Sequence, residues 1–197
     1  LKDLEADLGQ YSFAGQIGQH PVPAKGGMFQ VDNFTIIERP PPIKQIAWTV
    51  RYWDKAATKV SIGTKKKVPY TVGVKMCRLL NGRWVVLDVK RGRWSTNQRE
   101  AIIKATAQAD GPLVEIFHEQ EPGSGGKESA QSTTLNLAGF VARADRPQGD
   151  KVYRADPYSV QVNDGNVSLL LAEWNHEFIE EHRYFPNSTY KDQVDGA

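Results

Sequence analysis

Residues Ile46–Asp54, with the sequence IAWTVRYWD, form an apolar stretch that ends in an acid. Its β-branched and aromatic side chains predict a β-strand. Further acids follow a second strand-like segment and recur near the end of the sequence. The acids concerned are Asp54, Glu119, Glu121, Asp192 and Asp195. Because hard divalent cations prefer oxygen ligands and commonly serve phosphoryl transfer, the pattern predicts a carboxylate metal site.

The length and composition indicate one globular domain. The chain has 197 residues, of which 40% are hydrophobic and 24% are charged, as is typical of globular proteins. No apolar run approaches the roughly 18 residues that a membrane span needs, so we expect no membrane partner. The net charge of +2 is too small to steer the whole molecule to nucleic acid, so a basic contact surface would have to be local.

Residues 1–42 differ in composition from the rest of the chain. Glycine and proline are frequent there, no hydrophobic period persists, and the segment closes on Pro40-Pro41-Pro42. Proline supplies no amide donor and favours extended backbone. We therefore predict an arm or linker at 1–42 and a folded domain at 43–197. Because the first residue is Leu1 rather than Met, we expect that the chain is a fragment of a longer protein.

From residue 43 onward the sequence predicts a mixed sheet. Three strands follow one another at 46–54, at 70–80 and from 83 to about 90, and Asn81-Gly82 between the last two is a strong hairpin signal. Ser95, with Gln98 three residues later, predicts the start of a helix. Strands at 113–119 and 139–143 flank a helix at 128–137, an order that implies a parallel crossover. The predicted fold class is therefore α/β, with a mixed central sheet (an antiparallel meander, then parallel strands) flanked by helices.

The sequence after residue 143 predicts fewer elements. Asn163-Asp164-Gly165 indicates a turn, residues 174–181 should be helical, and a last short helix should hold Asp192 and Asp195. Since these two acids are three residues apart, they would share one helix face.

Spacing alone does not choose between Glu119 and Glu121, because residues two apart on a strand point the same way. We favour Glu119, the first acid after the continuous apolar segment, and Glu121 stays open as the alternative. The glycine-rich segment at 123–127 does not complete a phosphate-binding loop, since Glu121 stands where that motif needs Gly and Glu128 where it needs Ser or Thr. We therefore expect no ATP hydrolysis by this chain.

Basic residues cluster in a polar insert between the first two predicted strands, at Lys65-Lys66-Lys67. Such a cluster fits contact with a phosphate backbone or a solvated hairpin tip about equally well. The candidate DNA contacts are Lys65, Lys66, Lys67, Lys127, Arg143 and Lys151.

Taken together, these residues resemble the nuclease domain of the terminase large subunit of tailed bacteriophages, a motor protein that packages and cuts viral DNA. The resemblance covers most of the chain and rests on the order and spacing of four segments. These are Arg51-Tyr52-Trp53-Asp54-Lys55-Ala56-Ala57, Glu119-Gln120-Glu121-Pro122-Gly123-Ser124-Gly125-Gly126-Lys127, Gly149-Asp150-Lys151 to Val167, and Tyr190-Lys191-Asp192-Gln193-Val194-Asp195. Residues 1–42 are similar to the segment that joins the family's ATPase domain to its nuclease.

The resemblance implies an RNase H-like fold and a metal-dependent endonuclease that cuts double-stranded DNA. Two Mg²⁺ or Mn²⁺ ions would act on the scissile phosphate, one activating water and the other stabilising the leaving 3′ oxygen. Asp54, Glu119 (or Glu121) and Asp192 match the family's catalytic acids, and Asp195 is an additional candidate ligand. The family's late motif commonly reads His-Asp-Asp-Gln-Val-Asp-Ala, so Lys191 here replaces one expected ligand.

The resemblance also implies partners and a location. The partners are double-stranded DNA, the ATPase domain of the same protein, the small terminase subunit and the portal, and the location is the host cell cytoplasm. Two alternatives stay open. One is a DNA-clamping or motor-docking module with weak or no catalysis, which the replacement at Lys191 supports, and the other is a different RNase H-like nuclease such as a resolvase.

Overall fold

The structure, a computed structural model, describes residues 27–55 and 70–197, so the predicted basic cluster at Lys65, Lys66 and Lys67 lies outside the described residues. Seven strands form one sheet in the order β1-β7-β4-β3-β2-β5-β6. The strands are β1 (Thr35–Ile37), β2 (Ile46–Asp54), β3 (Thr71–Leu79), β4 (Trp84–Gly92), β5 (Glu115–Glu119), β6 (Ala142–Asp145) and β7 (Val167–Leu170).

Five α-helices accompany the sheet in the described ranges. They are α1 (Thr96–Asp110), α2 (Ser124–Asn136), α3 (Lys151–Asn163), α4 (Asn175–Arg183) and α5 (Asp192–Gly196). The predicted start of α1 is confirmed, because Ser95 and Gln98 form a capping box in which each side chain accepts from the other residue's backbone N–H. Within the described part of the chain, no helix is both long and apolar enough to cross a membrane.

The predicted meander is confirmed and fixes the direction of the central strands. β2, β3 and β4 pair antiparallel, and the turn between the last two uses Gly82 at φ +86°, a left-handed conformation that suits glycine. β2 then pairs parallel with β5, and β5 with β6. The predicted α/β class with a mixed sheet is therefore correct, and the carboxyl ends of β2, β5 and β6 meet at one edge of the sheet.

Helices cover both faces of the sheet. On one face, Trp53 and Ile116 pack against Ile103 of α1 and against Leu137, which follows α2. On the other face, Val72 and Val74 belong to a larger core, to which α3, α4 and α5 contribute Ala155, Phe178 and Val194. Since side chains alternate along a strand, Asp54 lies on the second face, opposite its neighbour Trp53.

The predicted boundary at residue 43 is too late for the part of the arm that the structure describes. β1 lies within residues 1–42 and pairs parallel with β7. Phe29, Val31 and Phe34 are buried in the larger core. The short strand β1 was not predicted, because it lies in a region rich in glycine and proline and its three residues are too few to show an alternating pattern.

Two elements between residues 145 and 171 escaped prediction. The buried positions of α3 are Ala155, Ser159 and Val162, a helical spacing that small and polar residues leave nearly invisible in a hydrophobicity pattern. β7 is a four-residue buried run, too short to assign from the sequence. Bounds of other predicted elements also shift: α2 begins at Ser124 rather than 128, β5 begins at Glu115 rather than 113, and β6 spans Ala142–Asp145 rather than 139–143.

The Phe29→Ala substitution tests whether this early segment is part of the folded unit. Phe29 is 2% exposed, so its truncation should lower the free energy of unfolding by about 3–5 kcal/mol. Ile36→Ala is the control, because Ile36 is 42% exposed and its truncation should cost well under about 1.5 kcal/mol. Urea unfolding followed by tryptophan fluorescence measures both, and equal small losses would show that the segment is a loose arm.

Candidate active site

The parallel pairing of β2 and β5 brings two of the predicted acids together. Trp53 and His118 are partners in the register, so the next residues, Asp54 and Glu119, lie side by side at the carboxyl edge. Glu119 is close enough to raise the pKa of Asp54, and Asp54 is only 7% exposed. The buried Asp54 carboxyl therefore keeps its proton to a higher pH than a free aspartate does.

The short helix α5 supplies the other two predicted acids. Asp192 accepts a hydrogen bond from the backbone N–H of Tyr70 at 2.9 Å. Asp195 accepts one from Arg154 Nη2 at 2.7 Å. Both acids are buried to about the same degree as Asp54, so all three share one sparsely hydrated space.

Lys151 lies among these acids. Its Nζ is 3.7 Å from Asp54 Oδ2 and 4.0 Å from Asp192 Oδ1, and it forms an ion pair with Asp195 Oδ2. The geometry originates in the cap of α3, where Asp150 accepts from the backbone N–H of Tyr153 at 2.8 Å and fixes the first helical turn. Lys151 begins that turn and Arg154 follows three residues later, so both cations project toward the acids.

Asp145 is a further acid at this edge that the sequence analysis missed. It pairs with Glu119 in the register of β5 and β6 and accepts a hydrogen bond from the Tyr52 hydroxyl at 3.2 Å. Burial, and then the charge of Asp145, raise the pKa of Tyr52, so the phenol stays a neutral donor. Extending the strand predicted at 139–143 by two residues, past Arg143, would have revealed Asp145.

Glu121 lies beyond the end of β5, and its backbone oxygen is so close to Gly126 that a side chain at position 126 would clash with it. The charge of Glu121 acts to raise the pKa of the buried Lys55, against the effect of burial. Glu119 is the glutamate that raises the pKa of Asp54. The structure therefore places Glu119 in the acidic cluster with Asp54. The roles of both glutamates as metal ligands stay predictions.

Opposing influences set the ionisation of the central groups. Burial raises the pKa of Asp54, the neighbouring Glu119 raises it further, and the charge of Lys151 acts in the opposite direction. Burial alone would lower the pKa of Lys151, but the charges of Asp54, Asp195 and Asp192 outweigh it, so the net pKa is raised. Lys151 is therefore a firmly charged ammonium ion held by carboxylates.

The donor chemistry of this edge fits a hard divalent cation, since every predicted ligand is a carboxylate. As arranged, however, the described residues contain no group of three or more His, Cys, Asp or Glu side chains ready to hold an ion. The ammonium of Lys151 takes up the attraction of the acids instead. A divalent cation would therefore have to displace that ammonium to reach Asp54 and Asp195 together.

Two arginines border the site next to Asp192. The guanidinium carbons of Arg91 and Arg93 lie 3.9 Å and 4.0 Å from the centroid of the Tyr70 ring, within the range of cation–π attraction. Arg93 also donates to the Tyr190 hydroxyl at 2.7 Å. These contacts hold the segments that enter β3 and α5, which explains why basic residues stand at the end of β4.

The predicted DNA contacts in the described ranges differ in availability. Lys127 in the first turn of α2 and Arg143 on the edge strand β6 are exposed. Lys151 is 41% exposed but engaged with three carboxylates. Contact of any of them with DNA stays a prediction.

Solved structures of viral terminase nucleases are similar to this chain in fold. The large terminase nuclease from thermophilic phage G20c matches with a TM-score of 0.54 and 10% sequence identity, over 87% of this chain and 95% of that chain. Its magnesium-bound structure matches with a TM-score of 0.54 and 12% identity, over 88% and 95%. The human cytomegalovirus terminase nuclease domain matches with a TM-score of 0.52 and 11% identity, over 85% and 86%.

No protein-family model matches the chain, and no curated protein does. The similarity is therefore one of fold: the described residues have the RNase H-like α/β fold of the large terminase nuclease domains, as the sequence predicted.

The Asp54→Asn substitution should raise the melting temperature at pH 7. The pKa of Asp54 is raised in the folded chain, so the neutral carboxyl is favoured on folding and the ionised one destabilises the fold. The stability due to neutral Asp54 is complete below its unfolded-state pKa of 3.8 and is lost as the pH rises through the raised folded-state pKa. Asparagine is neutral throughout, so the gain should be present at pH 7 and disappear near about pH 3.5.

Thermal unfolding across this pH range measures the effect, with Asp195→Asn as the matched control. That variant loses ion pairs with Lys151 and Arg154 and should melt lower than the parent at pH 7. A lower melting temperature for Asp54→Asn as well would contradict the proposed burial cost of the Asp54 charge.

Proposed function

We propose that this chain is the nuclease domain of a viral terminase large subunit, a divalent-metal-dependent endonuclease that cuts double-stranded DNA during genome packaging. The observation that carries the proposal is the convergence of Asp54, Glu119, Asp192 and Asp195 at one edge of a terminase-nuclease fold. Chain order distributes these acids over 142 positions, and the fold brings them together at one edge of the sheet. Gathering several buried carboxylates is costly unless a cation is bound among them.

Asp54, Glu119 and Asp192 would hold the catalytic cations, and Asp195 would add a ligand. Mg²⁺ or Mn²⁺ would supply activation of the attacking water and stabilisation of the leaving oxygen. Solved structures of the G20c nuclease contain bound magnesium and, separately, bound zinc, which supports divalent metal use in this fold. Within this chain, Lys151 compensates the acids, and Arg154 would keep Asp195 oriented after Lys151 is displaced.

The same proposal extends to the DNA path and the larger assembly. Exposed Arg143 on β6 lies two residues before Asp145 and so stands close to the acidic edge, where it would contact the DNA backbone together with Lys127. Lys65, Lys66 and Lys67 lie outside the described residues and stay predicted DNA contacts. Because its fold is similar to that of the terminase nucleases, the domain would work with the ATPase domain of the same protein, the small terminase subunit and the portal. This work would take place in the cytoplasm of an infected host cell, and the virus would be a bacteriophage.

A second candidate function is a DNA-clamping or motor-docking module with weak or no catalysis. Lys151 favours it, because the ammonium occupies the space between Asp54 and Asp195, and Lys191 replaces an expected acid. Such a module would bind DNA with strong salt dependence and would not cut it.

A supercoiled-plasmid assay separates the two functions. Purified chain is incubated with plasmid over a range of Mn²⁺ and Mg²⁺ concentrations, with EDTA as the blank. We expect metal-dependent nicking and linearisation, and a loss of more than about 100-fold in rate for Asp54→Asn, since even residues that only support metal ligands commonly contribute 10–100-fold. Asp32→Asn is the control, because Asp32 belongs to the folded part of the chain and its side chain is 89% exposed.

An Asp54→Asn protein that cuts as fast as the parent would refute the assignment of Asp54. Plasmid that stays intact at every metal concentration, while the chain still retards DNA on a gel at low salt, would establish the clamp instead.

A further inference from the structure

Gln193 stands between the two acids of α5, and the proposed chemistry leaves it without a role. It is 1% exposed. Its backbone N–H donates to Glu181 Oε1 at 2.6 Å and its side-chain Nε2 donates to Glu181 Oε2 at 2.8 Å. The same Nε2 lies 3.3 Å from the backbone oxygen of Glu177. One residue of α5 is thus held by a two-pronged contact with a carboxylate of α4.

We propose that Glu181 is a positioning residue that fixes α5 through Gln193, so that Asp192 and Asp195 face Asp54 across the space that Lys151 now occupies and that a divalent cation would take. This inference rests on the proposed nuclease function. It concerns how the acids are held rather than which acids bind metal.

The helix α5 cannot hold its own position. It has five residues and no side-chain N-cap, and isolated helices of that length are not stable in water. In contrast, α4 is anchored in the core by Phe178 and His182, both fully buried. A link from α4 to the residue between the two acids therefore transfers the rigidity of the core to both of them.

The contact is more expensive than a purely structural link would need to be. Glu181 is 6% exposed, and its nearest cation, Arg91, is 3.8 Å away at Nη2. Burial raises the pKa of Glu181, while the two bonds from Gln193 and the charge of Arg91 oppose that rise. Apolar side chains would pack α4 against α5 at lower cost, but they would not fix the rotation of α5, whereas paired donors and acceptors do.

Donor and acceptor chemistry makes the link testable by exchange. Glu181→Gln offers one acceptor and turns an NH₂ group toward the NH₂ group of Gln193. Gln193→Glu places two carboxylates against each other. The double exchange restores complementarity, because the new amide at 181 can accept from the backbone N–H of residue 193 and donate to the new carboxylate there.

The experiment measures Mn²⁺ binding to the whole chain by isothermal titration calorimetry, and hydrogen exchange of the amides at 192–196 by mass spectrometry. Each single exchange should weaken Mn²⁺ binding about 10–100-fold and reduce amide protection in α5, and the double exchange should recover most of both. Glu180→Gln is the control on the same helix, since the Glu180 side chain is 39% exposed and pairs with Arg183; it should match the parent.

Single exchanges that leave both Mn²⁺ affinity and protection unchanged would overturn the inference, and so would a double exchange no better than the worse single one. If Glu181→Gln does not fold, Gln193→Met keeps the backbone donor and removes only the side-chain prong, and it should show a smaller loss of the same kind. If the parent itself binds no Mn²⁺, the proposed function fails, and the protection of 192–196 alone decides whether Glu181 positions α5.

Discussion

The parallel pairing of β2 with β5 is the constraint on which the rest of the site depends. It follows an antiparallel meander, so β2 lies at the point where the sheet changes direction, with β3 on one side and β5 on the other. Only a parallel neighbour presents its carboxyl end at the same edge, and this places Glu119 beside Asp54. The crossover through α1 that makes the pairing parallel is therefore what turns two strand ends into one site.

Bringing these acids together is electrostatically unfavourable, and two cations of α3 compensate for it. Asp54 is buried and adjacent to another carboxyl group, and the nearest compensation comes from Lys151 rather than from water. Lys151 is placed by the cap of α3, and Arg154 by the next turn of the same helix. The site thus combines acids that favour a cation with an internal cation that satisfies them in the meantime, so an incoming metal has to compete with an ammonium ion. Its affinity is then set as much by how easily Lys151 withdraws as by the acids themselves.

Much of this arrangement was predictable from the sequence, and the exceptions share a cause. The meander, the capped start of α1 and the strand ends at Asp54 and Glu119 all rest on local signals: alternation, Asn81-Gly82, and a capping box. β1 and β7 are only three and four residues long, and two of the three buried positions of α3 are the small residues Ala155 and Ser159, so none of the three shows a clear hydrophobic pattern. Asp145 was missed through an error of two residues in a strand end, and the role of Lys151 depends on a helix that was not predicted.

The acids differ in how their positions are secured, and the difference bears on how the site would respond to a metal. Asp54 and Glu119 belong to the sheet, where main-chain hydrogen bonds to neighbouring strands leave little freedom. Asp192 and Asp195 belong to a five-residue helix whose position depends on side-chain contacts with Tyr70, Arg154 and Glu181. Two of these contacts each use an oxygen of a carboxylate that would bind an ion, whereas the contact through Gln193 uses neither carboxylate and so stays intact when Asp192 and Asp195 change partners. The buried side chain of Gln193, between the two acids, would therefore hold the backbone of α5 in place while the carboxylates on either side rearrange.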